Sequence, residues 1–178
     1  MNFEKLERNM LSVMEEQQLK LGFDGNALRL FYPLSSLNAL LGTSLDENQM
    51  AGALVEYAAY VRERLGVIEA DSSEGRFSFL ISPEGCAYVR EHLNKDAFIA
   101  RFIRLISRHG CTIDRLLLLF REYSQHVHFE RMPDGSEFDY LVYFEDGKPD
   151  AFCYCLKEDM GHMTYHRFTR EDYHEFGF

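Results

Sequence analysis

The chain has no long apolar run, no low-complexity stretch and no basic half. Its uninterrupted apolar segments, Leu116–Phe120 among them, run to five or six residues, far below the roughly 20 that a membrane helix requires. The opening helical stretch carries Glu4, Glu7, Glu15 and Glu16, unlike the basic start and apolar middle of a secretory signal. A cytoplasmic protein without a membrane span is therefore expected. With 46% apolar and 14% aromatic residues, the composition does not resemble a disordered chain, and folded structure is expected nearly end to end. The net charge of −10 divides evenly: 8 basic against 13 acidic residues in 1–90, and 11 against 16 in 91–178, or −5 in each. Association with nucleic acid or an anionic membrane is disfavoured overall.

Catalytic signatures are missing as well. The chain contains no Gly-x-Ser-x-Gly, no HExxH, no P-loop and no dinucleotide fingerprint, so no motif with a known mechanism is assignable and no cofactor is expected. The cysteines Cys86, Cys111, Cys153 and Cys155 show no CxxC spacing. Cys153 and Cys155 stand two apart on a strand-like run, too far along it to pair comfortably, so reduced thiols are expected. Cys111 lies before a helix start with His109 nearby, a place that can lower a thiol pKa, but a small loop residue is the plainer account. The acid pairs Glu145-Asp146 and Glu158-Asp159 fall at turns, where solvated carboxylates are ordinary.

What is present is a regular alternation of elements. Phe3, Leu6, Met10, Val13, Met14 and Leu21 recur at helical spacing up to Gly22. A short helix spans Leu34 to Leu41. Ser44 with Glu47 reads as a capping box for a long helix from about Leu45 to Leu65, with Met50, Leu54, Tyr57, Ala58, Val61 and Leu65 on its buried face. Strand-like runs at Val67–Glu69 and Arg76–Ile81 flank the turn formers Asp71 to Gly75. Ser82 and Pro83 then start a helix to about Leu93.

This succession resembles a winged helix, the segment Arg76 to Gly85 carrying the likeness to bacterial winged-helix proteins. The resemblance implies a second helix for the major groove and a hairpin for the backbone. The residues argue otherwise, because Asp46, Glu47, Glu56 and Glu63 face only Arg62 and Arg64 on that helix. A protein-binding use of the fold is the better expectation.

Two further helices are expected, Lys95–His109 and Ile113–Tyr123, the latter capped by Thr112. Arg101, Arg104 and Arg108 fall at i, i+3 and i+7, with Lys95, Arg115 and Arg121 nearby. They form a patch for an anion or an acidic partner, or a plain solvated face. After Ser124 the period changes to 2. Runs at His126–Arg131, Glu137–Glu145, Ala151–Glu158 and His162–Phe168 are separated by turns, and 13 of the 25 aromatics lie between Tyr123 and Phe178. This is an antiparallel meander.

If Val127, Phe129, Phe138, Tyr140, Val142, Phe144, Phe152, Tyr154, Leu156, Met163 and Tyr165 face a core, alternation sends His126, His128, Cys153, Cys155, His162 and His166 to the other side. Cys153, Cys155, His162 and His166 sit on neighbouring strands and are the candidate zinc ligands; buried cysteines and exposed histidines are the plainer account. The tail, with Tyr173, Phe176 and Phe178, either docks on its own sheet or serves as an oligomer contact.

The expected fold is α+β: a helical, winged-helix-like part over residues 1–93, then two helices and a four-stranded antiparallel meander over 94–178. In length, in the order of elements and in the Phe138 to Leu156 hairpin, the chain resembles an uncharacterised family of small bacterial proteins known only as a domain of unknown function. That resemblance transfers no functional residue. The expected function is a non-enzymatic adaptor or regulatory module acting through protein contacts or self-association. A DNA-binding regulator is the alternative, with Arg62, Arg64, Arg76 and Arg101 to Arg108 converging on one surface. A metal-dependent protein using the Cys/His face is the third reading.

Overall fold

The structure, a computed structural model, describes residues 1–23, 25–73 and 75–175. Phe176 and Phe178 of the aromatic tail, and Glu74 of the hairpin, lie outside the described residues. The fold is α+β, and the chain divides into two compact units, Met1–Leu93 and Asn94–Phe178. Among the described residues no helix is long and apolar enough to cross a membrane.

The first unit runs α1 (Phe3–Leu21), β1 (Leu28–Pro33), α2 (Leu34–Leu41), α3 (Glu47–Leu65), β2 (Ile68–Ser73), β3 (Arg76–Ile81) and α4 (Pro83–His92). Leu6, Met10 and Met14 recur every fourth residue on α1 and are wholly buried, meeting Tyr57 and Val61 of α3 in one core with Phe77 and Phe79 of β3. The Arg64 guanidinium reaches both Glu7 carboxylate oxygens at 2.6 and 2.9 Å, fastening α3 to α1. Gln18 donates its side-chain amide to the Cys86 carbonyl at 2.8 Å, which ties α1 to α4.

Two expectations need correction here. The long helix begins at Glu47 with Asp46 as its cap: the Gln49 N–H donates to Asp46 Oδ1 at 2.9 Å and the Asp46 N–H to Gln49 Oε1 at 3.1 Å. The start is shifted from Ser44 because Asn38 holds the preceding loop extended. Its Oδ1 accepts from the Leu45 N–H and the Thr43 hydroxyl, and its Nδ2 donates to the Leu45 carbonyl. The second correction is β1, which sequence patterning did not reveal. It pairs antiparallel with β3 in the register Leu30↔Phe79, giving the sheet order β1-β3-β2. The turn formers Asp71 to Ser73 are themselves paired with Ser78 to Arg76, so the hairpin connection is only residues 74–75.

The second unit runs α5 (Phe98–Ile106), α6 (Ile113–Tyr123), β4 (Val127–Arg131), β5 (Tyr140–Phe144), β6 (Cys153–Asp159), β7 (His162–Phe168) and α7 (Arg170–Glu175). The sheet is a simple antiparallel meander, β4-β5-β6-β7. One face packs on α5 and α6 through rings set edge to face: Phe98 on Phe144 at 4.8 Å, Phe102 on Tyr154 at 4.7 Å and on Tyr165 at 4.9 Å. Helix α5 is shorter than the expected Lys95–His109. At its start, residues 94–97 turn, with the Tyr123 hydroxyl donating to the Asp96 carbonyl at 2.6 Å. At its end, the Gly110 N–H is drawn to the Gly161 carbonyl of the β6–β7 turn.

The sheet also carries a buried ion pair. Asp150 accepts from the Arg167 guanidinium at 3.2 Å, from the Tyr154 hydroxyl at 2.7 Å and from the Phe152 N–H at 2.9 Å. The Arg167 and Asp150 side chains are 2% and 8% exposed, and the guanidinium stacks 4.0 Å from the Phe152 ring centre. Removing one partner of such a pair costs about 3–5 kcal/mol, whereas replacing both is far milder. Asp150→Ala should therefore lose about 3–5 kcal/mol in urea unfolding, and Asp150→Ala with Arg167→Met should recover most of it. An additive double variant would refute the coupling.

Glycine supplies a second test, in the first unit. A Cβ on Gly85 would lie 2.4 Å from the Leu65 carbonyl oxygen, because the start of α4 abuts the end of α3. Gly52, exposed on α3, meets nothing within 4 Å. Gly85→Ala should destabilise by about 1–3 kcal/mol, and Gly52→Ala should stabilise by up to about 1 kcal/mol through helix propensity. Equal urea midpoints for the two variants would contradict this packing.

Candidate functional site

The outer faces of α5 and α6 enclose a shallow open cleft of about 470 Å³, lined by Arg101, Arg104, Leu105, Arg108, Arg115, Leu118, Leu119 and Glu122. Its origin lies in the amphipathicity of both helices. Phe98, Phe102 and Ile106 of α5 and Leu116, Leu117 and Phe120 of α6 are spent on the core, so the residues between them line the outside. The expected Arg101, Arg104 and Arg108 do share this surface, although α5 ends at Ile106 and Arg108 stands in the turn that follows.

The guanidiniums are not equivalent. Arg101 donates to the Tyr123 hydroxyl and to the Glu122 carboxylate, and these two hydrogen bonds hold its pKa above the usual arginine value. Arg104 donates to the Lys95 carbonyl at 3.2 Å. The Arg108 and Arg115 side chains make no hydrogen bond or ion pair among the described residues. Leu118, in the same lining, is 61% exposed. Sequence reasoning placed Leu118 in an apolar run, yet Arg115, Leu118 and Glu122 at i, i+3 and i+7 give the missing half of the cleft, a periodicity legible in the chain.

The Cys/His face is arranged differently from a metal site. Strand register does put Cys153, Cys155, His162 and His166 on one side, with Cys155 directly opposite His166. His162 lies four residues from His166 along β7, roughly 13 Å at the usual strand rise, and its ring packs instead against His109 at 4.8 Å. Both cysteines are buried with Leu141, Phe138 and Tyr173, whereas His162 and His166 are exposed. Among the described residues no group of three or more His, Cys, Asp or Glu is placed to hold a metal ion.

Phe138 belongs to this second apolar layer and not to the core expected of it, because it precedes the regular alternation of β5; its ring lies 5.3 Å from that of His166. Phe129, also expected inside, is 41% exposed because β4 is the sheet edge. Tyr173 docks on its own sheet. Burial pushes the Cys155 thiol up to about 12, with Cys153 adding to the effect, and it raises Cys111 against the opposing influence of Arg115. Neither thiol is set up as a nucleophile.

On α3 the acids do not turn away. Glu47, Glu56 and Glu63 are exposed beside Asn48, Ala51, Gly52, Val55, Ala59 and Arg62, while Arg64 is engaged by Glu7. The described α3 and hairpin therefore lack the basic surface that a groove-reading helix needs.

A family model described as a domain of unknown function from an E. rectale gene, DUF3877, matches residues 3–177. The chain belongs to the DUF3877 family. The match spans both units and accords with the bacterial family that its length and element order resemble. Comparison with curated proteins and with solved structures returned no match.

The buried thiols of this DUF3877 protein make a direct prediction. All four cysteines are at most 3% exposed, so an aromatic disulfide reagent at pH 8 should titrate none of them until the protein is unfolded. For Cys155 the folded thiol loses its proton later than the unfolded one, so its contribution to stability is complete below pH 9 and lost as pH rises towards about 12. Cys155→Ala should flatten the fall of stability across that window; an unchanged slope would show that Cys155 is not responsible.

Proposed function

We propose that this protein is a non-enzymatic adaptor or regulatory module that works by binding a partner protein, with Met1–Leu93 built on the winged-helix plan. The order α1-β1-α2-α3-β2-β3 and the sheet order β1-β3-β2 support that plan. The observation that carries the functional reading is the outward face of α3. Where a DNA reader presents arginine and lysine, this helix presents Ala51, Gly52, Val55 and Ala59 among Glu56 and Glu63, and Val55 is 72% exposed. Small apolar side chains with carboxylates and the single arginine Arg62 beside them suit a protein surface better than a phosphate backbone. The buried thiols and the solvated turn carboxylates support a role without catalysis.

A DNA-binding regulator remains the second reading, favoured by the element order alone. One experiment separates them: a photo-cross-linking residue placed at Ala51 in living cells. A discrete protein adduct, lost when Val55→Asp is added, is the expected result. An adduct to nucleic acid, or nanomolar binding of duplex DNA in anisotropy, would overturn the partner-protein reading in favour of the second.

A further inference from the structure

The α5–α6 cleft gives the partner a chemistry. We propose that it binds an acidic segment of a partner protein in which carboxylates alternate with an aliphatic side chain; this rests on the reading of the protein as a partner-binding module. The cleft gathers four arginines, three leucines and one glutamate in a chain of net charge −10. The Arg101–Glu122 pair closes one end. The rest of the lining is Arg104, Arg108 and Arg115 with Leu105, Leu118 and Leu119, and the Arg108 and Arg115 side chains make no hydrogen bond or ion pair among the described residues.

Guanidinium forks match carboxylates in two parallel hydrogen bonds, a geometry that lysine does not supply. Leu118, 61% exposed in the same lining, is apolar surface that water covers unfavourably and an aliphatic side chain would cover well. Arginine is among the side chains enriched where interface affinity concentrates.

Other anions fit less well. A nucleotide or single-stranded nucleic acid calls for an aromatic platform under its bases, and none of the described residues lining the cleft is aromatic. A polyphosphate would meet the Glu122 carboxylate within the lining and would leave the leucines wet. An acidic peptide uses both halves of the surface: its carboxylates meet Arg104, Arg108 and Arg115, and its apolar residue meets Leu118. Glu122, already occupied by Arg101, marks the end where the peptide's charge stops.

The test uses the full chain and a short fluorescein-labelled peptide alternating glutamate with leucine, followed by anisotropy. Expected are saturable binding that weakens as salt is raised, a loss of at least about tenfold in affinity for Arg108→Glu with Arg115→Glu, and a comparable loss for Leu118→Asp. The glutamine-for-glutamate peptide should not bind. Arg62→Glu, on α3, should leave affinity unchanged. All these positions are at the surface, and thermal unfolding of each variant verifies its fold.

Absence of saturable binding would overturn the proposal. So would equal affinity in the charge-reversed variant, or binding of inorganic phosphate at the cleft with no binding of the peptide. An Ala51 protein adduct that persists in a chain whose cleft binds no peptide would retire this inference while leaving the partner-protein reading in place.

Discussion

The interlocking of six aromatic rings fixes the architecture of Asn94–Phe178. Phe98, Phe102 and Phe120 from two short helices meet Phe144, Tyr154 and Tyr165 from three strands. Edge-to-face contacts are directional, so they set helix orientation as well as burial. Helices of 9 and 11 residues would be marginal alone; here Phe98, Phe102 and Phe120 anchor them on the sheet. The opposite side is then free of packing duty, and arginines can gather there without cost to the core. The cleft is thus a by-product of where the rings sit, which is why its lining reads off both helices in the same three-and-four rhythm.

How much of this was legible in the chain follows from the range of each signal. Helices α1 to α4 and strands β4 to β7 are marked by local periodicity and by caps within a few residues, and they lie close to where patterning puts them. Strand β1 is not so marked. Leu28 to Pro33 alternates too briefly to stand out, and its partner, β3, is more than 40 residues away. The cap of α3 moved by two positions because Asn38, from another helix, holds the loop before it. Both differences arise from contacts that only the folded chain brings together.

The meander shows the same limit at a finer scale. Period-2 alternation placed Cys153, Cys155, His162 and His166 on one face, as the register has them. Sharing a face is not sharing a site, since a strand separates residues along its length as surely as it aligns them. Alternation is also blind to what covers a face. The second apolar layer exists because Phe138 and Tyr173, from outside the regular strands, roof over the thiols. Of the cleft, the α5 arginines were visible as a triplet and the α6 half was hidden in a leucine run, where only packing tells Leu118 from its buried neighbours.

The hairpin of the first unit has an unexpected tether. The Leu34 N–H, the first of α2, donates to the Gly75 carbonyl at 3.0 Å, and Pro33, the last residue of β1, is itself the cap of α2. The strand end, the helix start and the hairpin tip therefore meet at one joint without slack. A run such as Asp-Ser-Ser-Glu-Gly has the composition of a tip that tolerates insertion, and a protein engineer would choose it for a tag or a label. In this fold such an insertion would pull on a helix 40 residues upstream, so the tip behaves as a structural hinge pin and not as spare loop.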